Sequence, residues 1–196
     1  LRGIAVEDDL TAVSALLAQS RLAIDYYTPE ANRHALGDRF TAGLVRLLKD
    51  AAPGSDHQLA FARALSTSIR DDDGAEVLKA WLAGEEVPEG LAVDTDLRWR
   101  LVTDLARIGA IGDDVIAAEN ERDNTAAGAE KAAGARAALK SPDAKAAAWQ
   151  RALADDTPNE THFQVTALFW QVDQADELAP YVDRFRVMTL DYSESG

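Results

Sequence analysis

The sequence predicts an all-α fold: an α-solenoid or irregular helical array of about ten short helices. Three observations point there. Apolar residues recur at spacings of three and four along most of the chain, and strand-like alternation is absent. Ala and Leu, strong helix formers, dominate the composition. Breaks carrying Pro, Gly or clustered acids separate successive apolar stripes. No strict sequence period links the stripes, so the chain is not a regular consensus repeat.

The elements follow in order. A first helix is expected from about Asp8 to Tyr26, with Leu10, Val13, Leu16, Leu17 and Ile24 on its apolar side. Thr28-Pro29 marks a break and the next start. The second helix carries Leu36, Phe40, Leu44, Leu47 and Leu48 and ends at Pro53-Gly54. Ser55-Asp56-His57-Gln58 is a capping-box pattern that opens a third helix to about Arg70. Asp71-Asp72-Asp73-Gly74 is expected to be a turn, followed by a short helix with Val77, Leu78 and Trp81. A loop from Gly84 to Gly90 leads to a helix from Asp94 to near Gly109. Short helices then cover Asp113 to Arg122 and the alanine-rich Thr125 to Ala138, where Gly128 and Gly134 let neighbours approach closely. Ser141-Pro142 supplies a cap and a first-turn proline for a helix whose apolar contacts come from Trp149 and Leu153. The last two helices are Phe163 to Trp170 and one with the stripe Leu178, Tyr181, Val182 and Phe185. Residues 1–188 are expected to form a single domain, with 189–196 a frayed tail.

Composition excludes several function classes. The 196 residues carry 34 acids against 20 bases, a net charge of −14. Such a field repels phosphate backbones, so nucleic acid is not an expected partner. No apolar run approaches the ~20 residues of a membrane span, and the first residues show no signal-peptide pattern. The absence of cysteine rules out a disulfide framework, a thiolate metal site and a cysteine nucleophile, and suits a reducing compartment such as the cytoplasm. The chain does not begin with Met and reads as a piece of a longer protein.

Chemical motifs are scarce. His34, His57 and His162 share no ligand spacing, and no H-E-x-x-H is present. The acidic run at 71–74 lacks the alternating ligands of a calcium loop. There is no phosphate-binding Gly-rich loop and no nucleophile elbow. Tyr26-Tyr27 reads as packing, and Trp81, Trp99, Trp149 and Trp170 read as core. No residue is therefore assigned a catalytic or metal-binding role.

One polar feature stands out, in the stretch from Pro88 to Leu105, PEGLAVDTDLRWRLVTDL. With Leu97 at zero on a helical wheel, Leu101, Leu105 and Ile108 fall at about 40°, 80° and 20°. Asp94 and Arg98 fall at about 60° and 100°, inside the apolar arc, while Asp96, Arg100, Asp104 and Arg107 lie at about 260–340°. A buried arginine must be paired, and Asp94 is the nearest partner. Two roles are open: a buried ion pair that fixes helix packing, or an arginine lining a cavity and offering charge to a substrate carboxylate. Leu97, Leu101 and Leu105 are expected to be structural. So is Trp99, which at about 200° lies off the leucine arc beside Val102.

The chain resembles the C-terminal helical domain of the aminopeptidase N family of zinc metallopeptidases, particularly its actinobacterial branch. The residues that carry the resemblance are AAPGSDHQLAFARAL (51–65), VPEGLAVDTDLRWRLVTDLARIG (87–109), TAAGAEKAAGARAA (125–138), PDAKAAAWQRALADDTPN (142–159) and ELAPYVDRF (177–185). The chain departs from the family in lacking a leucine within its DDT-PN stretch, Asp155 to Asn159, and in running out after PYVDRF as VMTLDYSESG. The resemblance implies an armadillo/HEAT-like superhelical domain that closes over a zinc-containing catalytic domain of the same polypeptide and walls off the chamber for peptide substrates. It implies that zinc and the catalytic residues belong to that other domain, so this chain alone is expected to be inactive and metal-free. Within it, Asp94 and Arg98 are the candidates for lining the chamber. The alternative is a stand-alone helical-repeat module that binds another protein on a concave face.

Overall fold

The computed structural model describes residues 3–194, with side chains as far as Met188. Among the described residues there are ten α-helices and no strand, which is the predicted all-α class. They are α1 (Leu10–Leu22), α2 (Glu30–Asp50), α3 (Asp56–Ser68), α4 (Asp72–Ala83), α5 (Thr95–Ile108), α6 (Asp113–Arg122), α7 (Ala126–Ala138), α8 (Pro142–Leu153), α9 (Asn159–Phe169) and α10 (Ala175–Glu194). A 3₁₀ turn, Ile4–Val6, precedes α1, and a π-helical turn, Ala23–Tyr27, continues it. The chain divides into two compact units, Leu1–Asp104 and Leu105–Gly196.

Several helix starts are set by side-chain caps, though α2, α6 and α9 have none. Asp9 accepts from the Thr11 and Ala12 N–H groups, Thr125 from Gly128 and Ser141 from Ala144, each satisfying a donor that the first turn leaves open. The acidic run at 71–74 is not a free turn. Asp71 caps Gly74 N–H at 2.7 Å, and Asp72 and Asp73 form the first turn of α4, where the positive end of the helix dipole favours them. Helix α9 begins four residues earlier than expected, directly after Pro158. The backbone of 189–194 continues α10. The rest of the expected tail lies outside the described residues.

In the first unit α3 packs on both α1 and α2. Its core is made of large side chains: Val13, Leu17, Phe40, Leu44, Phe61, Leu65, Leu78 and Trp81 are buried. Several residues expected inside are not. Leu10 and Leu16 of α1 stay open to solvent, whereas Val13 and Leu17 of that stripe are buried. Tyr26 and Tyr27, read as packing, are 64% and 79% exposed.

In the second unit α7 is the hub, touching α6, α8 and α9. A methyl group on Gly134 would stand 2.9 Å from Leu168 Cδ1 and 3.2 Å from Gln164 Cβ, so glycine here sets the close approach of α9 to α7. Buried side chains on α7 are alanines: Ala132, Ala135, Ala137 and Ala138. Bulk comes instead from an aromatic group in which Trp149, Phe169 and Tyr181 meet tilted or edge-to-face at ring separations of 5.1–5.8 Å. Leu153, Val182, Phe185 and Trp170 are exposed rather than core. The stripe on α10 is narrower than its sequence suggests, and only Leu178 and Tyr181 turn inward.

Candidate functional site

The region singled out by sequence is the loop after α4 and the start of α5. The loop is held from below by one amide. Gln58, 3% exposed, accepts from Gly54 N–H at 2.8 Å and donates to Glu89 O at 2.8 Å. Ser55 Oγ accepts Gln58 N–H as a capping box requires, but the reciprocal bond goes to Gly54 instead of Ser55, because Gln58 must also span to the second loop. The two loops meet so closely that a Cβ on Gly90, at φ +79°, would stand 2.4 Å from Gly54 N.

Asp94 is exposed and precedes the helix. Its Oδ1 accepts Leu97 N–H at 2.8 Å, which makes it the cap of α5. The wheel that put it inside the apolar arc does not apply to it, because α5 begins at Thr95. The expectation of a buried Asp94 is thereby corrected. Arg98 is half-buried, and its Nη1 donates to Leu82 O at 2.8 Å, in the last turn of α4. A cation there satisfies a carbonyl that α4 leaves open and meets the negative end of its dipole. Both residues thus serve helix ends: the start of α5 and the finish of α4.

Leu97, Leu101 and Leu105 are fully buried, and Trp99 is 3% exposed. The supposed polar side of α5 is also covered over its second half. Asp104 is buried and accepts Ser66 Oγ at 2.6 Å and Thr67 Oγ1 at 3.2 Å, within the first unit. Arg107 is buried and pairs with Asp173 at 2.8 Å, within the second. The signal for Asp104 was present, since its position at about 340° lies only about 20° from Leu97. Nothing in the spacing marked Arg107, whose partner is 66 residues away.

Sequence reasoning also missed the other buried polar groups. In the first unit Asp25, 4% exposed, is held by Arg21 at 3.1 Å and by Arg70. Arg21 also donates to Thr67 O at the end of α3. In the second unit Lys145 is wholly buried, and its ammonium donates to Ala137 O at 2.6 Å and Phe169 O at 2.8 Å, the last turns of α7 and α9. The Phe169 ring lies 5.3 Å from the same nitrogen. Burial lowers the Lys145 pKa to about 8, with Glu177 acting in the opposite sense. Gln174, also wholly buried, donates to Arg107 O at 2.7 Å and Ala138 O at 2.8 Å, the ends of α5 and α7. Among the described residues no three His, Asp or Glu side chains come together as metal ligands. The three histidines stay apart: His34 pairs with Asp38, His57 meets Glu7 O, and His162 is exposed. None of the described helices is long and apolar enough to cross a membrane.

The described residues form α-helices and no strand, the class of an all-helical domain. Residues 1–189 match the ERAP1-like C-terminal domain family, and the chain belongs to it. Over 186 residues it is 46% identical to aminopeptidase N of Streptomyces lividans, a match that covers 94% of this chain and 22% of that protein. The chain is thus a C-terminal domain of the aminopeptidase N kind, and it spans about a fifth of the length of the curated relative it matches.

Proposed function

We propose that the chain is the non-catalytic part of a zinc aminopeptidase that removes N-terminal residues from peptides, and that it caps the catalytic domain and shapes the substrate chamber as an armadillo-like array. The observation that carries this reading is the 46% identity to an aminopeptidase N, most of whose length lies outside the match. The described residues do not fit a zinc site, so the metal and the chemistry would reside in the catalytic domain of the same polypeptide. A cytoplasmic location accords with the lack of cysteine. Asp94 and Arg98 would stand at the rim of the chamber. Their support is positional: an exposed carboxylate and a half-buried guanidinium one turn apart at the start of α5.

The deciding experiment begins with the reading frame upstream of Leu1. An encoded H-E-x-x-H followed by a distant Glu, with zinc-dependent hydrolysis of aminoacyl fluorogenic amides by the full-length product and none by this chain alone, is the expected result. A start codon just before Leu1, or turnover and stoichiometric zinc in the 196-residue chain, would overturn it. For the rim residues, Arg98→Ala in the full-length enzyme should raise KM for peptides with a free C-terminal carboxylate and leave C-terminally amidated peptides unaffected. Equal KM changes for both would remove Arg98 from the chamber.

A further inference from the structure

The first unit contains a cleft of about 420 Å³ between α1, α2 and α3, to which α5 contributes Arg100. Its walls are apolar, with Leu10, Leu17, Phe40 and Leu59 among the lining residues. Its charges are unlike those of the chain as a whole. The protein has far more acids than bases, yet the cleft holds Arg21, Arg63 and Arg100 against a single acid, Asp56. Arg21 is already committed to Asp25 and to Thr67 O. Arg100 has one bond, to Thr67 Oγ1 at 3.3 Å. Arg63 is half-buried on α3, and its guanidinium has no hydrogen-bond or ion-pair partner among the described residues. Two guanidinium groups beside an apolar wall, with most of their donors unused, suit a carboxylate carried next to an apolar side chain.

We propose that this cleft receives an Asp or Glu side chain, with an apolar neighbour, from the catalytic domain of the same polypeptide, and so fastens the first unit to it. The inference rests on the reading that such a domain accompanies the chain. Charge complementarity favours an acidic occupant, and the size of the contact favours a tethered one. A partly exposed Arg–carboxylate pair is too weak to hold a free peptide at micromolar concentration. A segment of the same polypeptide carries no such bimolecular cost, because the linkage has already brought it near the cleft.

The test is arginine-selective labelling with phenylglyoxal on the full-length polypeptide. Arg39 and Arg46, exposed on α2, serve as references. At low salt Arg63 and Arg100 should react about threefold more slowly than the references, and in about 1 M NaCl the difference should shrink, because the contact is screened. In the double variant Arg63→Glu/Arg100→Glu, the amides of α3 should exchange with solvent at least tenfold faster than in wild type, whereas Arg39→Glu/Arg46→Glu should leave them unchanged. A reading frame without a catalytic domain removes the occupant and overturns both this proposal and the reading beneath it. With that domain present, labelling of Arg63 and Arg100 as fast as the references overturns the proposal alone. Protection that appears only on adding acetyl-Leu-Glu-Leu-amide also overturns it, since the cleft would then take a soluble ligand.

Discussion

The two units bury polar groups in different ways, and the difference follows from their composition. The first fills its interior with large apolar side chains, and its two buried carboxylates are met by side-chain donors: Asp25 by Arg21 and Arg70, Asp104 by Ser66 and Thr67. The second is built around alanine-rich α7, whose side chains bring helices close but fill little space. There the two wholly buried polar side chains end on backbone carbonyls, Lys145 on α7 and α9 and Gln174 on α5 and α7, while Arg107 and Glu119 are met by the side chains of Asp173 and Arg122. Short helices expose many open carbonyls per residue. A closely packed array shuts water away from those carbonyls, so a donor must be delivered from within the protein. The first unit does this too where a helix ends against another, through Arg98 on Leu82 O.

The largest effect that would test this comparison lies in the first unit. Trp99→Ala should cost about 3–5 kcal/mol on chemical denaturation, the range for deleting a buried large aromatic. A loss below about 1 kcal/mol would mean that large side chains do not dominate this unit's stability.

In the second unit the sharper substitution is Lys145→Met, which keeps the stem and removes the donor. Two buried carbonyls lose their partner, and a cost of about 1–3 kcal/mol is expected. No loss would mean that Lys145 fills space without acting as a cap.

The same residue gives a pH dependence. Burial holds its folded pKa at about 8, below the ordinary 10.5, so between these values the unfolded chain binds more protons than the folded one. Stability therefore rises as pH increases from about 8 to 10.5, by at most about 3 kcal/mol. The measure is the denaturation free energy of wild type minus that of Lys145→Met across this window, which cancels the other titrating groups. A difference that falls with pH would show that the two carbonyls hold the proton more firmly than burial expels it.

Smaller effects are expected at the remaining positions. Gly134→Ala gains helix propensity but crowds Leu168 and Gln164, and should destabilise by about 1 kcal/mol by thermal denaturation. A stabilised Gly134→Ala would show that α7 and α9 can separate without loss. Asp94→Ala should cost about 1 kcal/mol, as for other helix caps. A loss of 3 kcal/mol or more would restore the buried pair suggested by the wheel.

Much of the fold was legible in the sequence. Helix starts were plain at Ser55, Thr125 and Ser141, because a cap is a contact between residues two or three apart. The closeness of α7 to a neighbour was legible in its glycines, though not that the neighbour would be α9. Which apolar residues stay outside was not legible. Leu16, Trp170 and Phe185 match the stripes of their helices as well as the buried residues do, and only the neighbouring helices decide between them. At the candidate site, the unusual character of Asp94 and Arg98 could be read, but the reason could not. A wheel assumes that both residues belong to one continuous helix, and the structure uses them at the ends of two.

The sequence by itself determined the class and the local punctuation: an all-α chain of short capped helices, with family-specific runs such as GLAVDTDLRW that need no structure to be recognised. Both are properties of neighbours in the chain, where spacing and propensity act directly. The tertiary structure alone decided which distant partner a buried polar group finds. Lys145 reaches Phe169 O, 24 residues on, Asp104 reaches back 38 residues to Ser66, and Arg107 reaches 66 residues to Asp173. Such pairs are selected by the cost of leaving a charge or a carbonyl unsatisfied where water is excluded, and that cost exists only once the helices have packed.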